Sequence, residues 1–284
     1  MTGSFLTEII MPIVLALIMF GMGLSLTRED FRELWREPKP VIIGLIGQLL
    51  LLPIIAYLVA IVFALPEHLA IGLMILAACP GGTSSNIISH LARANLALSV
   101  SLTAVTTLVC VITTPLIIQF AVDRFSSNPS ESFSLLSTTI GLIFITLLPV
   151  LLGISLRHKY SERAIKVEPF FRRLATLFLI AMIIGITVQE RETLVESFSQ
   201  VFTASISLNL IAVATGVSLG LLFKLVTRDS ITLGIEVGVQ NASMAILIAV
   251  SFLNRPDFAI TAGVYGISMY LGAGLLLVMA KHKH

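Results

Sequence analysis

The chain has 284 residues, 56% of them apolar and 12% charged, with a mean hydropathy of +1.00 and a net charge of +2. A soluble domain carries about a quarter charged residues, so this chain lacks the polar surface to cover a water-soluble globule. That excludes a soluble enzyme, a disordered protein and a single-anchor receptor. The small net charge excludes a nucleic-acid partner, and the two cysteines, Cys79 and Cys110, lie in apolar runs and imply no disulfide framework.

A membrane-spanning helix needs about 20 apolar residues. Loss of charge predicts nine such segments, at 8–27, 40–64, 69–92, 95–122, 133–156, 171–188, 201–223, 230–253 and 258–280. The first carries Glu8 and no preceding basic residue, so it reads as a true span and not a secretion signal. In the loop after it, Thr27 and Asp30 have the spacing of a helix cap, followed by Phe31, Leu34 and Trp35 at helical intervals. A short helix lying on the inner interface is expected there, and a similar polar stretch, Glu190–Ser199, follows the sixth span. All but a few of the 18 lysines and arginines fall in the odd-numbered loops and the C-terminus. Positive charge collects in the cytoplasm, so the expectation is an integral protein of the inner (plasma) membrane, in contact with its lipids, with the N-terminus outside and the C-terminus cytoplasmic.

The third and eighth spans carry the chemistry. The third contains Cys79-Pro80-Gly81-Gly82-Thr83-Ser84-Ser85-Asn86. Proline removes a backbone donor and clashes with the preceding turn, and glycines weaken a helix further. The two glycines are expected to supply backbone angles closed to other residues. Irregular backbone at membrane depth survives only where protein or water satisfies its freed groups. The eighth span contains Glu236-Val237-Gly238-Val239-Gln240-Asn241-Ala242-Ser243, again polar at its centre. Glu236 is the one carboxylate well inside any predicted span, where an acid costs about 2.5–3.5 kcal/mol. Intramembrane ionisable groups mark ion or substrate paths. The two breaks lie five spans apart, so their helices run in opposite directions. Interrupted helices at matching places in inverted halves point to a secondary-transporter site. Half-helix N-termini near Thr83 and Asn241 would favour an anion, and freed carbonyls a cation. Gln48 in the second span, with Asn209 as its weak counterpart in the seventh, and the pair Ser99 and Thr103 in the fourth add polar groups at the same depth.

Pro80–Asn86 and Glu236–Asn241 resemble the signatures of the bile acid:sodium symporter family, as do Phe20-Gly21-Met22-Gly23-Leu24 and Leu91-Ala92-Arg93 followed by Ala97-Leu98-Ser99-Val100. The resemblance implies an all-α polytopic fold of nine transmembrane helices, an inverted repeat with two crossed discontinuous helices, and core and panel domains. Residues 1–27 and 133–188 would form the panel; 40–122, with the broken helix 69–92, and 201–280, with the broken helix 230–253, would form the core. It implies a sodium-coupled importer of an organic anion, such as a bile acid, a pantoate-like acid or a related carboxylate or sulfate, and not an enzyme. One of two Na+ sites would use Ser85, Asn86, Ser99, Thr103 and Glu236. The other would use Gln48, Glu236, Gln240 and the carbonyls of Val237 and Val239. The anion would lie at Thr83, Ser84, Asn241 and Ala242 and extend toward Met269 and Tyr270, which stand where similar members carry His-Asn. Two other readings stay open: an exporter of the same architecture, metalloid- or proton-coupled, with Cys79 as thiol ligand, and an intramembrane hydrolase built on Glu236.

Overall fold

The computed structural model describes residues 5–127 and 134–281. Residue 133, the start of the expected fifth span, and the two chain ends lie outside them. Everything described is helix and connecting turn, apart from one isolated bridge between two backbone segments. In chain order the helices are α1 (Thr7–Ser25), α2 (Arg28–Arg36), α3 (Pro38–Val62), α4 (Glu67–Ala78), α5 (Thr83–Leu91), α6 (Leu96–Phe125), α7 (Leu135–Lys159), α8 (Ser161–Gln189), α9 (Arg191–Leu222), α10 (Thr227–Gly238), α11 (Ala242–Phe252) and α12 (Pro256–Ala280). Seven of these, α1, α3, α6, α7, α8, α9 and α12, are long and apolar enough to cross a membrane. The two expected spans without an uninterrupted helix are 69–92 and 230–253, which are the pairs α4–α5 and α10–α11.

The loop helix forms as its sequence predicts. The Thr27 N–H and hydroxyl both donate to the Asp30 carboxylate, at 2.6 and 2.8 Å, and the first of these bonds satisfies a backbone donor that the start of α2 leaves free. Trp35 projects from it, 87% exposed.

Two expected separators are helical. Residues 157–169 read as a loop, yet α7 runs to Lys159, only Tyr160 intervenes, and α8 starts at Ser161 with Pro169 in its interior. The polar stretch Glu190–Ser199 forms no separate element; from Arg191 it is the beginning of α9, which runs unbroken for 32 residues. Charge marks where a helix leaves lipid, not where its backbone hydrogen bonding stops.

Helix α1 packs mainly on α7 and α8, and α9 packs mainly on α10 and α12. Glycines set the closest approaches. A Cβ on Gly153 of α7 would stand 2.8 Å from the Gly23 Cα of α1, so these backbones touch. The two halves also turn alike. Among the described residues the non-glycine ones with positive φ are Ala64, Arg93, Lys224 and Asn254, which close α3, α5, α9 and α11 in left-handed caps. After α3 and α9 the cap bond is the same, Leu65 N–H to the Ala60 carbonyl and Leu225 N–H to the Gly220 carbonyl. The residues that open α4 and α10, Pro66 and Val226, share φ/ψ of −61/157 and −64/153.

Gly153→Leu is expected to force α1 and α7 apart and to destabilise the protein by about 1–3 kcal/mol, read as a lower melting temperature in detergent. An unchanged melting temperature would show that this contact is not close.

Candidate ion and substrate site

Both predicted breaks are present, and they meet. Between α4 and α5 the backbone is extended at Cys79 and at Gly82, as it is at Val239 between α10 and α11. The two segments pair antiparallel through Gly81 and Gln240. The Gly82 N–H donates to the Val239 carbonyl at 3.2 Å, and the Asn241 N–H donates to the Pro80 carbonyl at 3.0 Å. Each break thus satisfies backbone groups that the other has freed from its helix.

The glycines do a different job from the expected one. Among the described residues no glycine has positive φ, and Gly82 has φ −84 and ψ 151, which any residue adopts. The requirement is space. A Cβ on Gly81 would stand 3.1 Å from both the Gln48 side-chain nitrogen and Glu236 Oε2, and 3.7 Å from Thr103 Oγ1.

Around that empty corner lie the predicted polar groups. Glu236, in the last turn of α10, is fully buried. Its Oε1 accepts from Ser99 Oγ at 2.5 Å and its Oε2 from Thr103 Oγ1 at 3.0 Å, both on one face of α6. Ser99 Oγ is also 2.8 Å from Asn86 Oδ1, and Thr103 Oγ1 is 3.5 Å from Ser85 Oγ. Ser85 Oγ bonds the Gly82 carbonyl at 2.8 Å. Ser85, Asn86, Ser99, Thr103 and Glu236, from three helices, therefore form one connected group. The three hydroxyls bring three protons to five acceptors: both Glu236 oxygens, Asn86 Oδ1 and the Gly82 and Ser99 carbonyls. The cluster is short of donors, and that is the electrostatic condition for holding a hard cation among oxygens.

A second set adjoins it. Gln48 sits in a wide π-type turn, Ile46–Leu51, inside α3. It is 1% exposed, and neither end of its amide has a partner. Gln240 Oε1, equally buried, is also unpaired, while its nitrogen donates to the Val237 carbonyl at 3.0 Å. Buried amide groups without partners are costly, and two of them lie close to this one carboxylate. The Val239 carbonyl belongs to the pairing of the breaks. Among the described residues no group of three His, Cys, Asp or Glu could hold a metal, and Cys79, at the end of α4, is buried.

The predicted substrate residues open α5 and α11 and lie on α12. Thr83 and Ser84 open α5, half-buried, and Gly82, not Thr83, is its N-cap. Asn241 caps α11, its Oδ1 accepting from the Met244 N–H at 3.0 Å, and buried Ala242 follows it. Met269 is buried and Tyr270 is 44% exposed. Neither lines the cavity beside Thr83. That cavity, about 140 Å³, lies between α5, α1 and α8 and is walled by Met22, Ser25, Thr83, Asn86, Phe171 and Arg172. Arg172 is the residue that the sequence reading missed: it stands at the edge of the expected sixth span, 171–188, next to the separator 157–169. It is paired only with Glu168, at a loose 3.9 Å, and its guanidinium makes no other hydrogen bond among the described residues.

The sequence relationships agree with this geometry. The model of the Sodium Bile acid symporter family matches residues 12–197. The chain belongs to this family. It is 31% identical over 272 residues to an uncharacterized sodium-dependent transporter of Bacillus subtilis, covering 95% of this chain and 83% of that one. It is 31% identical over 273 residues to a probable chloroplastic sodium/metabolite cotransporter of Oryza sativa, with 95% and 63% covered. It is 30% identical over 233 residues to the human sodium/bile acid cotransporter 4, with 81% and 53% covered. The chain thus spans about half to two-thirds of those two eukaryotic relatives. As a member of a family of sodium-dependent transporters with seven continuous apolar helices, it is an integral membrane protein.

Ser99→Ala is expected to leave Glu236 Oε1 without its donor and to cost about 1–3 kcal/mol, read as a lower melting temperature in sodium-free detergent. Thr113→Ala, which removes only a bond to its own helix, is the control and should change it little. Equal melting temperatures for the two variants would mean that the Ser99–Glu236 contact is not made.

Proposed function

We propose that the protein is a symporter that couples two sodium ions to the import of a small organic anion by alternating access. The observation that carries the reading is the donor-poor oxygen cluster on buried Glu236, with the unpaired Gln48 and Gln240 amides next to it. One ion would lie among Ser85, Asn86, Ser99, Thr103 and Glu236. The other would lie among Gln48, Gln240, Glu236 and the Val237 and Val239 carbonyls. Glu236 would be shared, so the loaded centre would carry one net positive charge.

Counting α4–α5 and α10–α11 as one interrupted span each gives nine, with the N-terminus outside and the C-terminus cytoplasmic. The paired left-handed caps and the matching entries to α4 and α10 support an inverted repeat. The packing of α1 on α7 and α8 supports a panel that moves against the remaining helices.

The anion would place its charged end at the α5 and α11 N-termini, near Thr83, Ser84, Asn241 and Ala242, where helix dipoles and free N–H groups favour negative charge. Its body would extend into the crevice between α5, α1 and α8, where Arg172 adds a carboxylate-matching fork. Pockets for drug-sized ligands occupy about 300–1,000 Å³. A cavity of about 140 Å³ fits a small acid better than a steroid.

Glu236→Ala should abolish sodium binding by calorimetry, and Gly81→Ala, which fills the corner between Gln48 and Glu236, should weaken it about tenfold or more without loss of folded protein. Normal sodium isotherms in both variants would refute the sites. In proteoliposomes, uptake of a small monocarboxylate should require sodium and rise with an inside-negative potential, which contributes about 2.3 kcal/mol per 100 mV for one net charge. Arg172→Gln should raise the half-saturating acid concentration and leave sodium binding unchanged. Equal uptake without sodium would refute symport.

A further inference from the structure

Asn209 is a buried amide in the middle of α9, and its position in the second half corresponds in chain order to that of Gln48 in the first. The two are used oppositely. Gln48 has no partners, whereas both ends of Asn209 are engaged. The Asn209 nitrogen donates to the Gly238 carbonyl at 2.9 Å, and Oδ1 accepts the Gly272 N–H of α12 at 3.0 Å. The hydroxyl of Tyr265, a fully buried residue of α12, donates to the same Gly238 carbonyl at 2.8 Å. Gly238 is the last residue of α10, so its carbonyl has lost its helical partner to the break. The first half treats the equivalent group alike. Ala78 ends α4, and its carbonyl accepts from Thr114 at 2.6 Å, on α6, the helix that follows the break as α12 follows the other.

We propose that Asn209 and Tyr265 are positioning residues for sodium: by holding the Gly238 carbonyl they fix the peptides on either side of it, and so aim the Val237 and Val239 carbonyls toward Gln240 and the first break. Neither residue touches an ion. The inference rests on the sodium-carrier reading above. It assigns to the seventh and ninth spans a part in ion affinity that their lack of ligands conceals. Partners that orient metal ligands typically contribute 10- to 100-fold to affinity.

The test is sodium titration by calorimetry on the purified full-length protein, with melting temperatures measured alongside. Tyr265→Phe keeps the ring and its packing and removes only the hydroxyl, so it stays informative if Asn209→Ala fails to fold. The expected result for Tyr265→Phe is an affinity at least about tenfold weaker for one of the two ions, with sodium cooperativity lost and the other ion bound as before. A lower melting temperature with an unchanged isotherm would show a purely structural bond and overturn the proposal. Glu236→Ala in the same assay separates the two claims. Wild-type-like sodium binding there would defeat the carrier reading itself, and the clamp with it. Lost binding there with an unchanged Tyr265→Phe isotherm would defeat the clamp alone.

Discussion

The architecture depends on a short antiparallel contact between two stretches of unwound backbone. A helix interrupted at membrane depth exposes donors and acceptors that lipid cannot satisfy. Here each interruption answers the other, Gly82 to Val239 and Asn241 to Pro80. Neither break would be tolerable alone, so the two helices must meet where they are broken. That requirement brings Glu236, just before the second break, against Ser85 and Asn86, just after the first.

Once the breaks are joined, the electrostatics follow. A buried carboxylate with two hydroxyl donors is under-compensated, and the neighbouring acceptors draw on the same few protons. The unpaired amides of Gln48 and Gln240 extend the deficit beyond the carboxylate. Such an arrangement is expensive as a resting core, and the proposed sodium ions would relieve it. Glycine at 81 keeps the corner open by having no side chain, a steric role and not a conformational one.

Outside this centre the contacts are of a different kind. The α1, α7 and α8 group meets the helices around the breaks across a small crevice, with Arg172 and Glu168 on its wall. Those two charges are only loosely paired, at 3.9 Å. The sequence gives no hint of this, because Arg172 stands at the edge of the expected sixth span, 171–188, while the helix that carries it reaches back through the expected separator to Ser161.

Local chemistry is legible in a linear sequence, and several features here have local causes. Pro80 with two glycines interrupts a helix wherever it stands, and a carboxylate such as Glu236 in an apolar run is conspicuous because lipid makes it costly. The helical spacing of Ser99 and Thr103 puts them on one face before any fold is known. The sequence thus determined the apolar spans, the two breaks and most of the polar residues that converge. Other features depend on distance in space. Tyr265 reads as an ordinary core aromatic and Asn209 as a lone polar residue until both are seen on the Gly238 carbonyl. The wide turn under Gln48 has no compositional mark, and the need for Gly81 arises from side chains remote in the chain. These were decided by tertiary structure, because each is a matter of which atoms share a small volume, and spacing along one helix does not encode how another helix crosses it.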